Sequence, residues 1–420
     1  MKYDIIIIGA GCAGLMAMHE LLIRGYSVCM LEAAPGAGGR IATIKPRGYA
    51  QPLETGAEFI HGKLPLTLKL LRSADISYQA ISGERIGVVN GRWSHEEHSA
   101  HWDELLRRLG QQKTDTSISN FLEDNFPGAQ YKKLRTAARN FAEGFNLADI
   151  DNASVLSIQK EWQQEDQKQY RVAGGYMQLI DYLLSQCIAF KGRIEYNSAV
   201  KSIEFRKGHA TVTTKNRKKF EASRVISTAS IGVLQAGGIH FNPGLGVHAD
   251  AIQQIGFGQV IKFHMQLKNP FWQRHEEDTG FILTNESIPT WWTQAPEKTN
   301  LLTGWVGGPA ATRFTGNSEK ALLQHALQSL SSIFKMSVAG IKSELLHYRI
   351  TNWQRNPFVL GGYSYNTVFT GKAIEILSEP VASTIFFAGE AIYSGDSQGT
   401  VEAALQSGRQ IAEKISKLDT

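Results

Sequence analysis

The chain has 420 residues, more than a single hydrophobic core usually supports, so two domains are expected. A composition of 42% hydrophobic and 20% charged residues is that of a globular protein in water, and a net charge of +5 without a long basic run argues against a nucleic-acid partner. The three cysteines, Cys12, Cys29 and Cys187, match no metal-ligand spacing and are odd in number, which argues against a metal centre and a disulfide framework and for a reducing, cytoplasmic setting.

Residues 5–8 form a wholly apolar run, followed at once by Gly9-Ala10-Gly11-Cys12-Ala13-Gly14. Leu15, Met18, Leu21 and Leu22 then share one face of a helix that Gly25 ends, and residues 27–31 read as a second buried strand closed by Glu32. Strand, glycine turn, helix and strand in this order make a dinucleotide-binding unit. Gly9 permits the tight turn, Gly11 lets a pyrophosphate approach the backbone, and Gly14 lets the helix pack close on the strand. The helix N-terminus offers its free N–H groups to the phosphates. Glu32, roughly 20 residues past the first glycine, is placed to accept hydrogen bonds from ribose hydroxyls, and its charge disfavours a 2′-phosphate. Lys2 ahead of an apolar run mimics a secretion signal, but Asp4 and the glycine turn assign that run to a strand. No stretch reaches the ~20 apolar residues of a membrane span, and residues 415–420 carry no apolar tail, so a soluble protein is expected.

Ala33-Ala34-Pro35-Gly36-Ala37-Gly38-Gly39-Arg40 brings a second glycine pair and a cation that can meet the same pyrophosphate. This resembles the extended motif of FAD proteins with a nucleotide domain of the glutathione-reductase type. Leu53-Glu54-Thr55-Gly56-Ala57-Glu58-Phe59-Ile60-His61-Gly62 resembles the corresponding segment of the flavin-containing amine oxidases, the polyamine oxidases especially. The resemblance implies that Gly9, Gly11, Gly14, Glu32, Ala33, Gly39, Arg40, Gly56, Ala57 and Glu58 bind FAD. It also implies that His61 lies near the substrate, although a lone loop histidine is by itself more often structural.

Residues 64–81 read as a helix and a returning strand, and 101–184 as mostly helical. Leu105, Leu106 and Leu109 mark a helix stopped by Gly110, and Pro127-Gly128 breaks the next segment. Lys132, Lys133, Arg135 and Arg139 then form a basic stripe, most simply an exposed helix face. Gly174-Gly175 precedes another helix and resembles the family's return to the FAD domain. Residues 194–226 alternate as a β-meander whose tip is Arg217-Lys218-Lys219. In the family this meander flanks the adenine, and the position matching Val200 contacts it through backbone groups. Residues 227–234 resemble the family's crossing between domains. Residues 258–305 and 348–368 are strand-rich, and 318–334 is an amphipathic helix.

Ile261, Phe263, Met265 and Leu267 alternate with Lys262, His264 and Gln266, so periodicity alone makes Lys262 a solvent-facing strand lysine. The segment through Pro270-Phe271-Trp272 is similar to the family's lysine strand, and the resemblance makes Lys262 the catalytic residue that holds a water against flavin N5. Trp353 and the segment through Gly361-Gly362-Tyr363-Ser364-Tyr365 are similar to the family's flavin-facing tryptophan and substrate wall. Monoamine oxidases with covalent flavin have a cysteine where Tyr363 stands, so the resemblance implies non-covalent FAD. The positions matching their paired substrate tyrosines are Ser364 and Thr400, neither aromatic; there the chain resembles polyamine oxidases and histone demethylases instead, which implies Tyr365 as the nearer wall residue. Trp291-Trp292 serves a cavity or the core equally well. Finally, residues 385–390 end a buried strand in Gly389-Glu390, and Thr400-Val401 opens a helix, a pair that resembles the family's flavin-binding C-terminal motif. A helix N-terminus there stabilises negative charge on a reduced flavin.

The expected fold is α/β. A glutathione-reductase-type FAD-binding domain (1–75, 174–240, 376–420) is interleaved with an α+β substrate-binding domain of the amine oxidase kind (76–173, 241–375). The implied activity is oxidation of an amine Cα–N bond to an imine by FAD and O2, giving hydrogen peroxide and, after hydrolysis, a carbonyl. The alternatives are a desaturase or protoporphyrinogen-type oxidase acting on C–C bonds, and a flavin-stabilised partner protein without turnover.

Overall fold

The computed structural model of the chain describes residues 2–95, 101–162 and 168–419. Strand β1 (Lys2–Ile8), helix α1 (Cys12–Ile23) and strand β2 (Val28–Leu31) follow one another as the N-terminal pattern requires. Ile5, Ile6, Ile7, Cys29 and Met30 are fully buried. A strand covered on both faces is apolar throughout, which is why no alternation is visible in either. The two pair in parallel, with Ile5 opposite Val28 and Ile8 opposite Leu31.

They belong to an eight-stranded sheet. Its order is Arg193–Glu195, β2, β1, Lys219–Ser227, His209–Thr214, Val200–Arg206 and His240–Asn242, with Ile385–Phe387 beside the end of Lys219–Ser227. Residues 200–227 form the expected antiparallel meander. Residues 193–195, read as its beginning, instead run parallel to β2 at the far edge. The helix Met177–Ala189 precedes them, so the chain enters there by a helical crossover rather than a hairpin.

The C-terminal helix Val401–Leu418 packs directly on α1, an approach that depends on Gly408: a Cβ there would stand 2.2 Å from the Ala13 carbonyl oxygen. Its first turn also holds the helix Pro65–Ser73. The buried Glu402 carboxylate accepts from the Leu66 N–H at 3.0 Å and the Thr67 N–H at 2.7 Å, two donors that a helix start leaves free.

A second sheet has seven strands, in the order Leu345–Asn352, Val260–Leu267, Leu301–Gly307, Thr290–Trp292, Thr279–Thr284, Glu84–Val89 and Arg92–His95. One face carries Ile261, Phe263, Met265 and Leu267, which pack with Leu322, Ala326 and Leu330 of the helix Glu319–Phe334. Helices Trp102–Gln111, Ile118–Asn125, Lys132–Gly144 and Val155–Trp162 bury a separate core around Leu105, Phe121, Leu134 and Ala138. Lys132, Lys133 and Arg139 are exposed, as a solvated face requires. Gly110 does not stop its helix, which runs on to Gln111. A glycine costs only about 1 kcal/mol there, and packing of Leu105 and Leu109 outweighs it. Residues 163–167, within the stretch read as helical, lie outside the described residues. Among the described residues no helix is long and apolar enough to cross a membrane.

Candidate active site

A cavity of about 1000 Å³ is lined by both sheets and by the helical segment. At one end lie Gly9, Gly11, Cys12 and Ala13. The N-cap of α1 is Gly11 and no side chain caps the helix, so its first N–H groups are open to a ligand. Gly38-Gly39 forms a second turn against the first. A Cβ on Gly39, where φ is 60°, would lie 3.6 Å from the Gly11 Cα. Side chains at these glycines would fill the space a diphosphate needs, so the cradle fits FAD. Gly14, expected among the cofactor contacts, does not line the cavity. A Cβ there would meet the Gly9 carbonyl oxygen at 2.0 Å, so its service is the helix–strand contact.

Glu32, Ala33 and Val200 line the same end. The Glu32 carboxylate accepts from the Ala10 N–H at 2.6 Å and the Ala34 N–H at 2.7 Å, which holds it in one position while its remaining lone pairs can take ribose hydroxyls. Arg40 donates to Glu390 Oε1 at 2.5 Å and to the Gly362 carbonyl at 3.0 Å. Gly389, with φ 148°, and Glu390 follow the strand Ile385–Phe387 to the cavity wall. Thr400 caps the C-terminal helix, its hydroxyl accepting from the Ala403 N–H at 3.2 Å, and Val401 opens that helix at the cavity. Two helix N-termini thus face one space.

Lys262 is not solvent-facing. Its strand, Val260–Leu267, lies between Leu301–Gly307 and Leu345–Asn352, and every residue in it is buried. Lys262 is 1% exposed. Its Nζ donates to Glu58 Oε2 at 2.5 Å and to the Gly56 carbonyl at 3.3 Å, and lies 5.3 Å from the centre of the Trp292 ring. Glu58 also accepts from Arg171 Nε at 2.9 Å and Trp292 Nε1 at 3.0 Å. Burial by itself would raise the Glu58 carboxyl; the charges of Lys262 and then Arg171 outweigh it and hold the group down at about 2. Glu58, implied to contact FAD, lines the cavity but directs its carboxylate to these three donors. Burial first, and then the charge of Lys262, push His264 down to about 3, so that ring is neutral.

The remaining expected residues converge here. Gly56, Ala57, His61, Trp353, Tyr365 and Thr400 all line the cavity. Trp353 is fixed by a 2.7 Å hydrogen bond from Nε1 to the Thr55 carbonyl. Burial lowers His61 to about 4, and its ring meets Phe145 edge-on with centroids 5.6 Å apart. The tryptophan pair divides: Trp291 is fully buried in the core, and Trp292 faces the cavity.

Several site residues carry no local signal in the sequence. Phe141 and Trp162 sit at ordinary core spacings on helices and Phe145 just past the end of one, yet they form an aromatic wall: Phe141 stacks on Phe145 at 5.4 Å and meets Trp162 edge-on at 5.3 Å. A second series runs from Trp292 to Trp305 at 6.1 Å and from Trp305 to Tyr363 at 6.4 Å, and the Tyr363 hydroxyl joins it to the first by donating to the Phe145 carbonyl. Glu161, half-buried, lines the same cavity, its carboxylate accepting from Asn146 Nδ2. Burial raises its carboxyl to about 7.

A glycine cradle that fits a diphosphate opens into an aromatic chamber with a buried lysine, an arrangement that suits FAD. The chain belongs to the family of flavin containing amine oxidoreductases, whose profile matches residues 12–416, and it is a flavoprotein. It is 26% identical to lysine-specific histone demethylase 2 of Homo sapiens over 98% of this chain and 53% of that protein. It is likewise 26% identical to polyamine oxidase 4 of Oryza sativa subsp. japonica, over 99% and 88%. The chain spans about half the length of the first of these relatives. Putrescine oxidase bound to putrescine superposes with a TM-score of 0.84 at 20% identity, covering 99% of both chains. Cyclohexylamine oxidase from Brevibacterium oxydans IH-35A gives 0.80 at 21%, covering 100% of both. These two establish the expected fold class.

Proposed function

We propose that the protein oxidises the Cα–N bond of a small amine to an imine, with O2 as the electron acceptor, hydrogen peroxide as one product and a carbonyl compound after hydrolysis. The observation that carries this reading is the buried Lys262 at the junction of cradle and chamber. Of its three N–H donors, two meet Glu58 and Gly56, which leaves one for the cavity, where it can hold a water. FAD supplies the hydride acceptor when bound. Gly9, Gly11, Glu32, Ala33, Gly39, Arg40, Val200, Trp353, Gly389, Glu390 and Val401 hold it in this reading, and His61, Tyr365 and Thr400 border the substrate. The aromatic walls exclude water, and the oxidation requires the lone pair of a deprotonated amine at the Lys262 end. Residues 1–75, 174–240 and 376–420 form the FAD domain, and 76–173 with 241–375 the substrate domain.

The test is a peroxide-release assay over a panel of amines, with Lys262→Met as the paired variant. Amine turnover is expected in the wild type and a sharp fall in the variant, with the yellow visible spectrum retained in both. A yellow wild type that releases no peroxide with any amine would overturn the reading in favour of C–C oxidation or a non-catalytic partner.

A further inference from the structure

Resting on the amine-oxidase reading, we propose that Glu161 binds a second cationic nitrogen of the substrate, so that the chamber selects diamines and longer polyamines over monoamines. The carboxylates that line the cavity are otherwise accounted for. Glu32 has two backbone N–H donors, Glu58 has Lys262 and Arg171, Glu390 has Arg40, and Asp396 has Lys160 at 3.0 Å. Glu161 has a single neutral partner among the described residues, the amide of Asn146, which Trp162 Nε1 in turn fixes at 3.3 Å. A half-buried carboxylate with no cation beside it is costly, and a ligand that brings one relieves that cost.

A second acceptor stands close by. Ser157 and Glu161 are four residues apart on the helix Val155–Trp162 and share a face. Asn366 Nδ2 donates to Ser157 Oγ at 2.6 Å, and that oxygen, on a residue lining the cavity, keeps a second lone pair. An ammonium has three donors and no acceptor, which suits a carboxylate oxygen and a hydroxyl oxygen together. Phe141, Phe145, Trp162 and Tyr363 supply ring faces that attract the same charge. The aromatic series from Lys262 through Trp292 and Trp305 to Tyr363 runs from the oxidation point along the cavity that Glu161 also lines. A substrate with one neutral and one charged nitrogen fits both ends at once.

The experiment compares α,ω-diamines with n-alkylamines of equal length, in the FAD-loaded wild type and in Glu161→Gln. The diamine-to-monoamine ratio of kcat/KM is expected to exceed about 10 in the wild type and to fall by about 10- to 100-fold in the variant, mainly through KM, as loss of a charge-assisted hydrogen bond requires. Glu161→Asp, with a shorter reach, is expected to move the preferred diamine to a longer one. A wild type that takes both classes equally, or a variant in which both fall alike, overturns the proposal. Turnover of no amine at all refutes the oxidase reading instead. The dication site is then decided by the diamine's shift of the thermal midpoint, expected in the wild type and lost in Glu161→Gln, and its absence in the wild type overturns the site.

Discussion

Glu58→Gln probes the charge cluster that holds Lys262. Glutamine keeps the size of the side chain and one acceptor oxygen; the negative charge between Lys262 and Arg171 is lost, and an NH2 group replaces the acceptor facing one side of the cluster. The Glu58 carboxyl falls from its ordinary 4.5 to about 2 in the fold. At about 1.36 kcal/mol per pH unit this amounts to roughly 3 kcal/mol at neutral pH, of the same order as the ~3–5 kcal/mol lost when one partner of a buried pair is removed. A carboxyl whose folded pKa lies below its unfolded one stabilises the fold above the unfolded value, and that stability is lost as pH falls toward the folded one. The window here runs from 4.5 down to about 2. Urea unfolding of FAD-loaded wild type and variant, followed by circular dichroism from neutral to acid pH, reads the difference. The variant should unfold at lower urea at pH 7, and the gap should narrow below the unfolded pKa. Equal midpoints at neutral pH, or a gap indifferent to acid, would refute an electrostatic role for Glu58.

Three further outcomes are expected. Gly14→Ala puts a Cβ 2.0 Å from the Gly9 carbonyl oxygen, so α1 must shift from the cradle and the ratio of flavin to protein absorbance in purified protein should drop sharply; full flavin content would count against the close contact. Thr400→Val removes the cap on Val401–Leu418 and should cost about 1 kcal/mol, read as a lower thermal midpoint, which an unchanged midpoint would contradict. The kcat/KM for an n-alkylamine should rise between pH 6 and 9 as the free ammonium, with an unperturbed pKa of roughly 10, loses its proton; His61, held near 4 by burial, is neutral throughout that range, and Glu161, raised by burial to about 7, titrates within it but is assigned to the second nitrogen of diamines, so a flat n-alkylamine profile would speak against uptake of the neutral amine.

The sequence by itself determined the nucleotide end of this protein. The demands there are local: a turn that only glycine can take, a helix start left uncapped, and an acid a fixed distance along the chain all lie within residues 5–40, and the C-terminal strand, Gly389 and the Thr400-capped helix lie equally close to one another in the chain. Each follows from backbone geometry that neighbouring residues impose on one another. Tertiary structure decided the chamber. Alternation in residues 260–267 distinguishes two faces but not whether either meets water, and Lys262 is buried because Leu301–Gly307 and Leu345–Asn352 flank both edges of its strand while residues 54–58 cover its polar face. Glu58 and Arg171, 113 residues apart, meet only when Phe59–His61 pairs with Gln169–Val172. Phe141 and Trp162 look like any helical core residues, and Phe145 like any residue just past a helix end, until folding gathers them along the cavity that Trp305 and Tyr363 also line. Packing between distant segments carries no local pattern, so the aromatic wall of the chamber was hidden from the sequence.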